Sequence, residues 1–173
     1  MKQIEALTIA IGVLGAVDTW FTAVVVPLPV WVTFIAWASF VIVGGGTQGW
    51  VRSVASNLTG IAIASITLLL IGLLPESPLI AAILVGLGSA AMVQASKLGL
   101  LSTIPAIVWG FASLVGTTFA IGTPITTPVF IGHPTLVAAA AMIAGATFGL
   151  LAETWANAMT NKATVTAVAG SHG

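Results

Sequence analysis

The 173-residue sequence contains no cysteine, no tyrosine and very little charge: four Lys+Arg and four Asp+Glu, 5% of the chain. Without cysteine there is no disulfide framework, thiolate metal site or iron–sulfur cluster. The charged fraction is about a fifth of the roughly 25% usual in soluble domains, which excludes a water-soluble globular protein and a disordered chain. Four cations cannot build the basic patch that nucleic-acid binding requires. Reacting side chains are equally scarce. The two histidines, His133 and His172, fit no metal-ligand spacing, and no G-x-S-x-G, Walker A or G-x-G-x-x-G pattern occurs. Gly44-Gly45-Gly46 lacks the Lys-Ser/Thr that follows a phosphate loop and reads as a flexible helix end. Asn57-Leu58-Thr59 has the form of a glycosylation acceptor but falls inside an apolar segment. The expectation is a chain that acts without catalysis, cofactor or metal.

What is present is apolar: 58% hydrophobic residues and a mean hydropathy of +1.17. Runs of about 20 apolar residues recur, the mark of transmembrane helices, so the lipid bilayer is the first partner. Proline and glycine pairs divide the chain, because neither residue continues a helix cheaply. Six segments result: Ile4 to Val26, Val30 to Val43, Val51 to Leu74, Leu79 to Lys97, Leu100 to Ala120 and Thr135 to Ala158. The expected fold is an all-α membrane protein, a single six-helix domain over 1–159 with a flexible cytoplasmic tail at 160–173. The first segment is expected to be retained rather than cleaved as a signal peptide. Glu5 and Asp18 interrupt it, and no small-x-small site precedes Pro27.

The basic residues set the topology. With six spans, Lys2, Arg52, Lys97 and Lys162 fall one each at the N-terminus, the 2–3 loop, the 4–5 loop and the C-terminus, all on one side. By the positive-inside rule both termini are cytoplasmic. A weak internal repeat accompanies this count. Shifted by 72 positions, Ile35, Trp37, Val43 and Gly44 fall on Ile107, Trp109, Val115 and Gly116. Helix three aligns with helix six through Ser56, Gly60 and Ala64 on Ala141, Gly145 and Gly149. Halves of three helices, about 4–74 and 78–158, must have opposite orientation, so the repeat would be inverted. Each trio is a small-xxx-small stripe, suited to packing helices three and six together at the bundle centre or to an oligomer interface.

Asp18 is the charge placed at depth. Counting about 1.5 Å per residue from Ala6 puts it roughly 18 Å into a core about 30 Å thick, with no cation at its level. It must be neutral, face water, or accept hydrogen bonds from Thr19, Thr22, Asn57 or Gln94; it reads as a pore-lining or proton-linked carboxylate, or as a packing contact. Asn57 and Gln94 are polar groups inside helices, candidates for solute contact or interhelical hydrogen bonds. Glu153, near the end of helix six, reads as structural. Of the six tryptophans, Trp20, Trp31, Trp50 and Trp155 lie near helix ends as interfacial anchors. Trp37 and Trp109 lie deeper and, with Phe40 and Phe111, either pack the core or narrow a passage that admits neutral solutes and excludes hydrated ions.

Trp31-xx-Phe34-xx-Trp37-xx-Phe40 leading into Gly45-Gly46, then Leu58-x-Gly60, resembles a family of small bacterial inner-membrane proteins of the YcdZ type, a domain of unknown function. Gln94-Ala95, Leu100-Leu101-Ser102-xx-Pro105, Phe111-Ala112 and Gly145-xxx-Gly149 extend the resemblance over most of residues 7 to 158. It implies a multi-pass protein of the bacterial inner membrane and assigns no activity or site residue. In architecture alone the chain is similar to proton-gated urea and short-amide channels, which are six-helix oligomers with inverted halves. The leading expectation is therefore a homo-oligomeric channel for small neutral solutes such as urea, short amides, ammonia or a neutral weak acid. The alternatives are a proton-coupled secondary transporter using Asp18, and a non-transporting partner or scaffold subunit of a membrane complex.

Overall fold

The prolines and glycines that punctuate the sequence end helices in the structure, a computed structural model that describes residues 1–170, with side chains through residue 160. The described residues form six α-helices: α1 (Gln3–Val24), α2 (Val30–Ile42), α3 (Gly46–Leu73), α4 (Pro78–Ala95), α5 (Ile104–Ile121) and α6 (Pro134–Gly170), with no strand among them. Five are long and apolar enough to cross a membrane; α2, with 13 residues, is the short one. The tail expected over 160–173 falls, from residue 161 onward, outside the described side chains.

Three boundaries differ from the sequence reading by four residues or more. Helix α3 starts at Gly46, five residues before the expected Val51, where its first amide finds an acceptor far away in sequence, on Glu153. Helix α5 starts at Ile104, after a 3-10 turn at Gly99–Leu101, with Pro105 in its first turn, where a missing N–H costs nothing. Helix α6 continues past Ala158 to Gly170.

Packing is organised around α3 and α6, which touch each other. Helix α5 lies chiefly along α3 and α2 along α6, while α1 flanks α6 and α4 flanks α3. The close approaches need glycine. A Cβ on Gly60 would overlap the Ile107 carbonyl oxygen, one on Gly110 the Asn57 carbonyl and one on Gly145 the Thr33 carbonyl. In lipid, where apolar side chains gain little by leaving their surroundings, such backbone contact holds helices together. The stripes expected to join α3 to α6 thus seat Gly60 on α5 and Gly145 on α2, with all six of their residues buried.

The buried positions follow a register. Those of α2 and its cap are Val32, Thr33, Ala36, Trp37, Ser39, Phe40 and Val43. Adding 74 to each gives Ala106, Ile107, Gly110, Phe111, Ser113, Leu114 and Thr117, which are the buried residues of α5. The buried residues of α3 are Gly49, Ser53, Ser56, Asn57, Gly60, Ile61, Ala64 and Thr67. Adding 85 gives Pro134, Ala138, Ala141, Met142, Gly145, Ala146, Gly149 and Ala152, again all buried. Burial therefore pairs Trp37 with Phe111, two residues from the sequence match of Trp37 with Trp109. Apolar letters repeat too freely to fix a register, whereas burial records which face meets a neighbour.

Candidate functional site: the cleft of α1, α2 and α6

Pro27 and Pro29 turn the chain sharply between α1 and α2, and Leu28 N–H bonds back to the Thr22 carbonyl at 3.3 Å. Beyond the turn the two helices pack on α6 far more than on each other, so they diverge toward the end that carries the N-terminus. The result is a wedge, with α1 and α2 as walls and α6 as floor.

At the narrow end lies Asp18, fully buried. The Thr33 hydroxyl sits 2.5 Å from its Oδ2 and 2.7 Å from the Val30 carbonyl oxygen, while Oδ1 has no partner. The hydroxyl has one hydrogen and two acceptors within reach, Asp18 Oδ2 and the Val30 carbonyl, and shares it between them as a three-centre bond. The other expected donors are engaged elsewhere: Thr19 bonds the Gly15 carbonyl at 2.8 Å and Thr22 the carbonyl of Asp18 itself at 2.7 Å. Gly145 on α6 meets the backbone of Thr33, and Phe21 packs edge-on against Phe148 with centroids 6.3 Å apart.

One helical turn from Thr33, about 6 Å along α2, Trp37 and Phe40 lie over Gly149. A Cβ there would come within 2.7 Å of the Phe40 ring and 3.0 Å of the Trp37 ring. Trp37 also stacks with Phe34 at 6.1 Å. These rings end a cavity of about 250 Å³ that opens between α1 and α2 and is walled by Leu7, Ile11 and Val41. Its far end is polar, with Gln3, the glycine run and Glu153. Glu153 Oε2 accepts the Gly46 N–H at 2.6 Å, placing a carboxylate on the N-terminus of α3, where it favours the helix dipole. Gly45, at φ +67° and ψ −170°, makes room: a Cβ would stand 2.7 Å from Oε1.

The remaining sequence candidates lie elsewhere. Asn57 closes a buried ring of hydrogen bonds between α2 and α3. Ser39 Oγ donates to Asn57 Oδ1 at 3.0 Å, Ser53 Oγ donates to Ser39 Oγ at 2.9 Å, and Asn57 Nδ2 donates to Ser53 Oγ at 3.3 Å. Gln94 is on the exposed side of α4. Phe111 belongs to the main apolar cluster, with Trp109 packed against it, whereas Trp37 belongs to a second cluster with Ala6, Ala10, Ala152 and Ala156. The aromatic residues expected around one passage are thus divided between two places. Thr33 escaped the sequence reading, although Thr33 and Ser39 are the hydroxyl residues of the second segment and α1 and α2 form an antiparallel hairpin. Facing positions across that hairpin were the available signal.

The chain from 8 to 157 matches the family described as "Protein of unknown function (DUF1097)". No curated protein and no solved structure matches it.

Proposed function

The chain belongs to the DUF1097 family of proteins of unknown function, and on that footing we propose that it is a proton-linked membrane transporter with Asp18 as the proton carrier. The observation that carries this reading is a fully buried carboxyl with one oxygen on Thr33 and the other unpartnered. Ionisable groups inside membrane bundles are costly and are retained where charge or protons move. A cleft open at one end and stopped by Trp37 and Phe40 suits a carrier, which binds from one side at a time, better than a channel, which needs a continuous passage. The runner-up of the sequence reading is therefore favoured over the neutral-solute channel.

The same proposal includes six crossings, both termini in the cytoplasm of a bacterium, and halves α1–α3 and α4–α6 related by an in-plane two-fold axis. The matched burial of α2 with α5 and of α3 with α6 supports the two-fold. So does the equivalence of Gly60 on Ile107 with Gly145 on Thr33, since the shifts of 85 and 74 carry one pair onto the other. Inverted halves allow one face to open as the other closes.

The test is proton movement. Proteoliposomes loaded with a pH-sensitive dye and given methylammonium, urea, acetamide or acetate should show solute-dependent proton flux above empty liposomes. Asp18→Asn, close in size, should lose it while keeping the wild-type melting midpoint. Solute flux without proton movement, unchanged in Asp18→Asn, would overturn the proposal in favour of a channel.

A further inference from the structure

The cavity between α1 and α2 carries a chemical signature of its own. Backbone N–H groups at its glycine end are already spent: Gly44 donates to the Val41 carbonyl, Gly45 to the Phe40 carbonyl and Gly46 to Glu153. Gln3 gives one amide hydrogen to Asn157 Oδ1 at 3.0 Å, which leaves its amide oxygen and its second amide hydrogen for a ligand. Glu153 has a second oxygen, Oε1, with no hydrogen bond, and no ion pair with any described residue. Among the described residues, no Lys or Arg lines the cavity. The polar groups left for a ligand are thus the Gln3 amide, the Trp37 indole N–H and a carboxylate oxygen, which carries the one formal charge of the lining among the described residues, and the closed end is formed by the rings of Trp37 and Phe40.

Such a lining repels anions, because its one formal charge among the described residues is a carboxylate. It suits a cation with hydrogens or methyl groups around nitrogen, held by the carboxylate at one end and by aromatic rings at the other. Leu7, Ile11 and Val41 would cover its carbon atoms. At about 30 Å³ per water in the liquid, a space of about 250 Å³ takes a compact solute of several non-hydrogen atoms.

We propose that this cavity binds a small organic ammonium ion and that this ion is the cargo. The inference rests on the transport reading above and adds the substrate class. Proton and cargo then occupy separate carboxyl groups, Asp18 at the narrow end of the wedge and Glu153 at the open end. Exchange of an ammonium ion for a proton keeps charge balanced across a cycle.

Butylammonium is the probe, with pentan-1-ol as its neutral counterpart of equal length. The full chain is placed in nanodiscs of phosphatidylglycerol, a lipid with no ammonium group, and binding is followed by calorimetry. Wild type should bind butylammonium saturably and pentan-1-ol at least tenfold more weakly. Glu153→Gln keeps an oxygen for Gly46 N–H and removes the charge, so binding should fall at least tenfold at an unchanged melting midpoint. Ile11→Phe narrows the cleft from its lipid-facing wall and should weaken binding even if Glu153→Gln fails to fold. Equal binding of the alcohol, or full binding in both variants, would overturn the proposal. So would occupation by phosphatidylethanolamine alone, with no response to free butylammonium, because the site would then hold a lipid headgroup. Asp18→Asn should bind butylammonium as wild type does. Binding that survives in Asp18→Asn while wild-type proton flux is absent would sink the transport reading and leave the ammonium site standing.

Discussion

A Cβ built on Gly60 or Gly145 runs into the main-chain carbonyl of a neighbouring helix, whereas one built on Gly86 has nothing within 4 Å. Backbone cannot rotate away as a side chain can, so added volume at the first two sites must push helices apart. Gly60→Ala and Gly145→Ala should each destabilise the protein by about 1–3 kcal/mol, read as a lowered unfolding midpoint in detergent. Gly86→Ala should leave the midpoint unchanged or raise it slightly, since alanine is the better helix former. Equal losses at all three sites would mean that the glycines matter for helix flexibility rather than for contact. Both contact glycines were legible in the sequence through their four-residue spacing with Ser56, Ala64, Ala141 and Gly149. Which helix they touch was not, because spacing marks a face and says nothing about what lies against it. Asp18 was legible as a charge out of place, while its partner Thr33 depends on how two helices meet.

Helix α3 shows how an element boundary can be fixed by a residue far away in sequence. No Ser, Thr, Asp or Asn stands at its N-cap; that place is taken by Gly45, and the acceptor for Gly46 comes from Glu153, 107 residues later. The apolar run that marks this segment in the sequence therefore begins past the true start, at Val51. The glycine run reads as a flexible end in sequence, yet it serves as a seat for a carboxylate, since Gly44, Gly45 and Gly46 all have positive φ. Gly45→Ala should suffer twice, from strain at φ +67° and from collision with Glu153, at a total of about 1–3 kcal/mol. Removing the carboxylate separates these costs. In a double-mutant cycle of Gly45→Ala with Glu153→Ala, the combined loss should be smaller than the sum of the single losses, because the collision vanishes with the side chain. Additive losses would mean that strain at Gly45 is the whole effect. Helix α5 has the familiar signal by contrast: Gly122 closes it in the left-handed conformation, and its end lay within a residue or two of the expected Ala120.

At the scale of the molecule the question is how many times the chain crosses, and α2 decides it. Its 13 residues span only about 20 Å at 1.5 Å each, against a core of about 30 Å. Six crossings require the glycine run to continue the path within protein, and the Glu153 bond to Gly46 supports that by satisfying backbone that lipid could not. If α2 instead turns back, every later loop changes sides and Arg52 and Lys97 part company with Lys2. The four cations made this legible from sequence, since all share one side only with six spans. The match of buried faces between halves was not legible, because it follows from contacts. A chain with no cysteine makes the test clean. Single cysteines at Gln48, Glu76, Gly99 and Phe130 all fall at exposed positions in the connections or at a helix end. Treated with a membrane-impermeant maleimide, Gln48→Cys and Gly99→Cys should label only from the cytoplasmic side, and Glu76→Cys and Phe130→Cys only from the other. Five crossings with α2 re-entrant would invert the pattern at all four positions. That result would remove the in-plane two-fold with it, because three-helix halves in opposite orientation need α2 and α5 to cross the membrane in opposite directions.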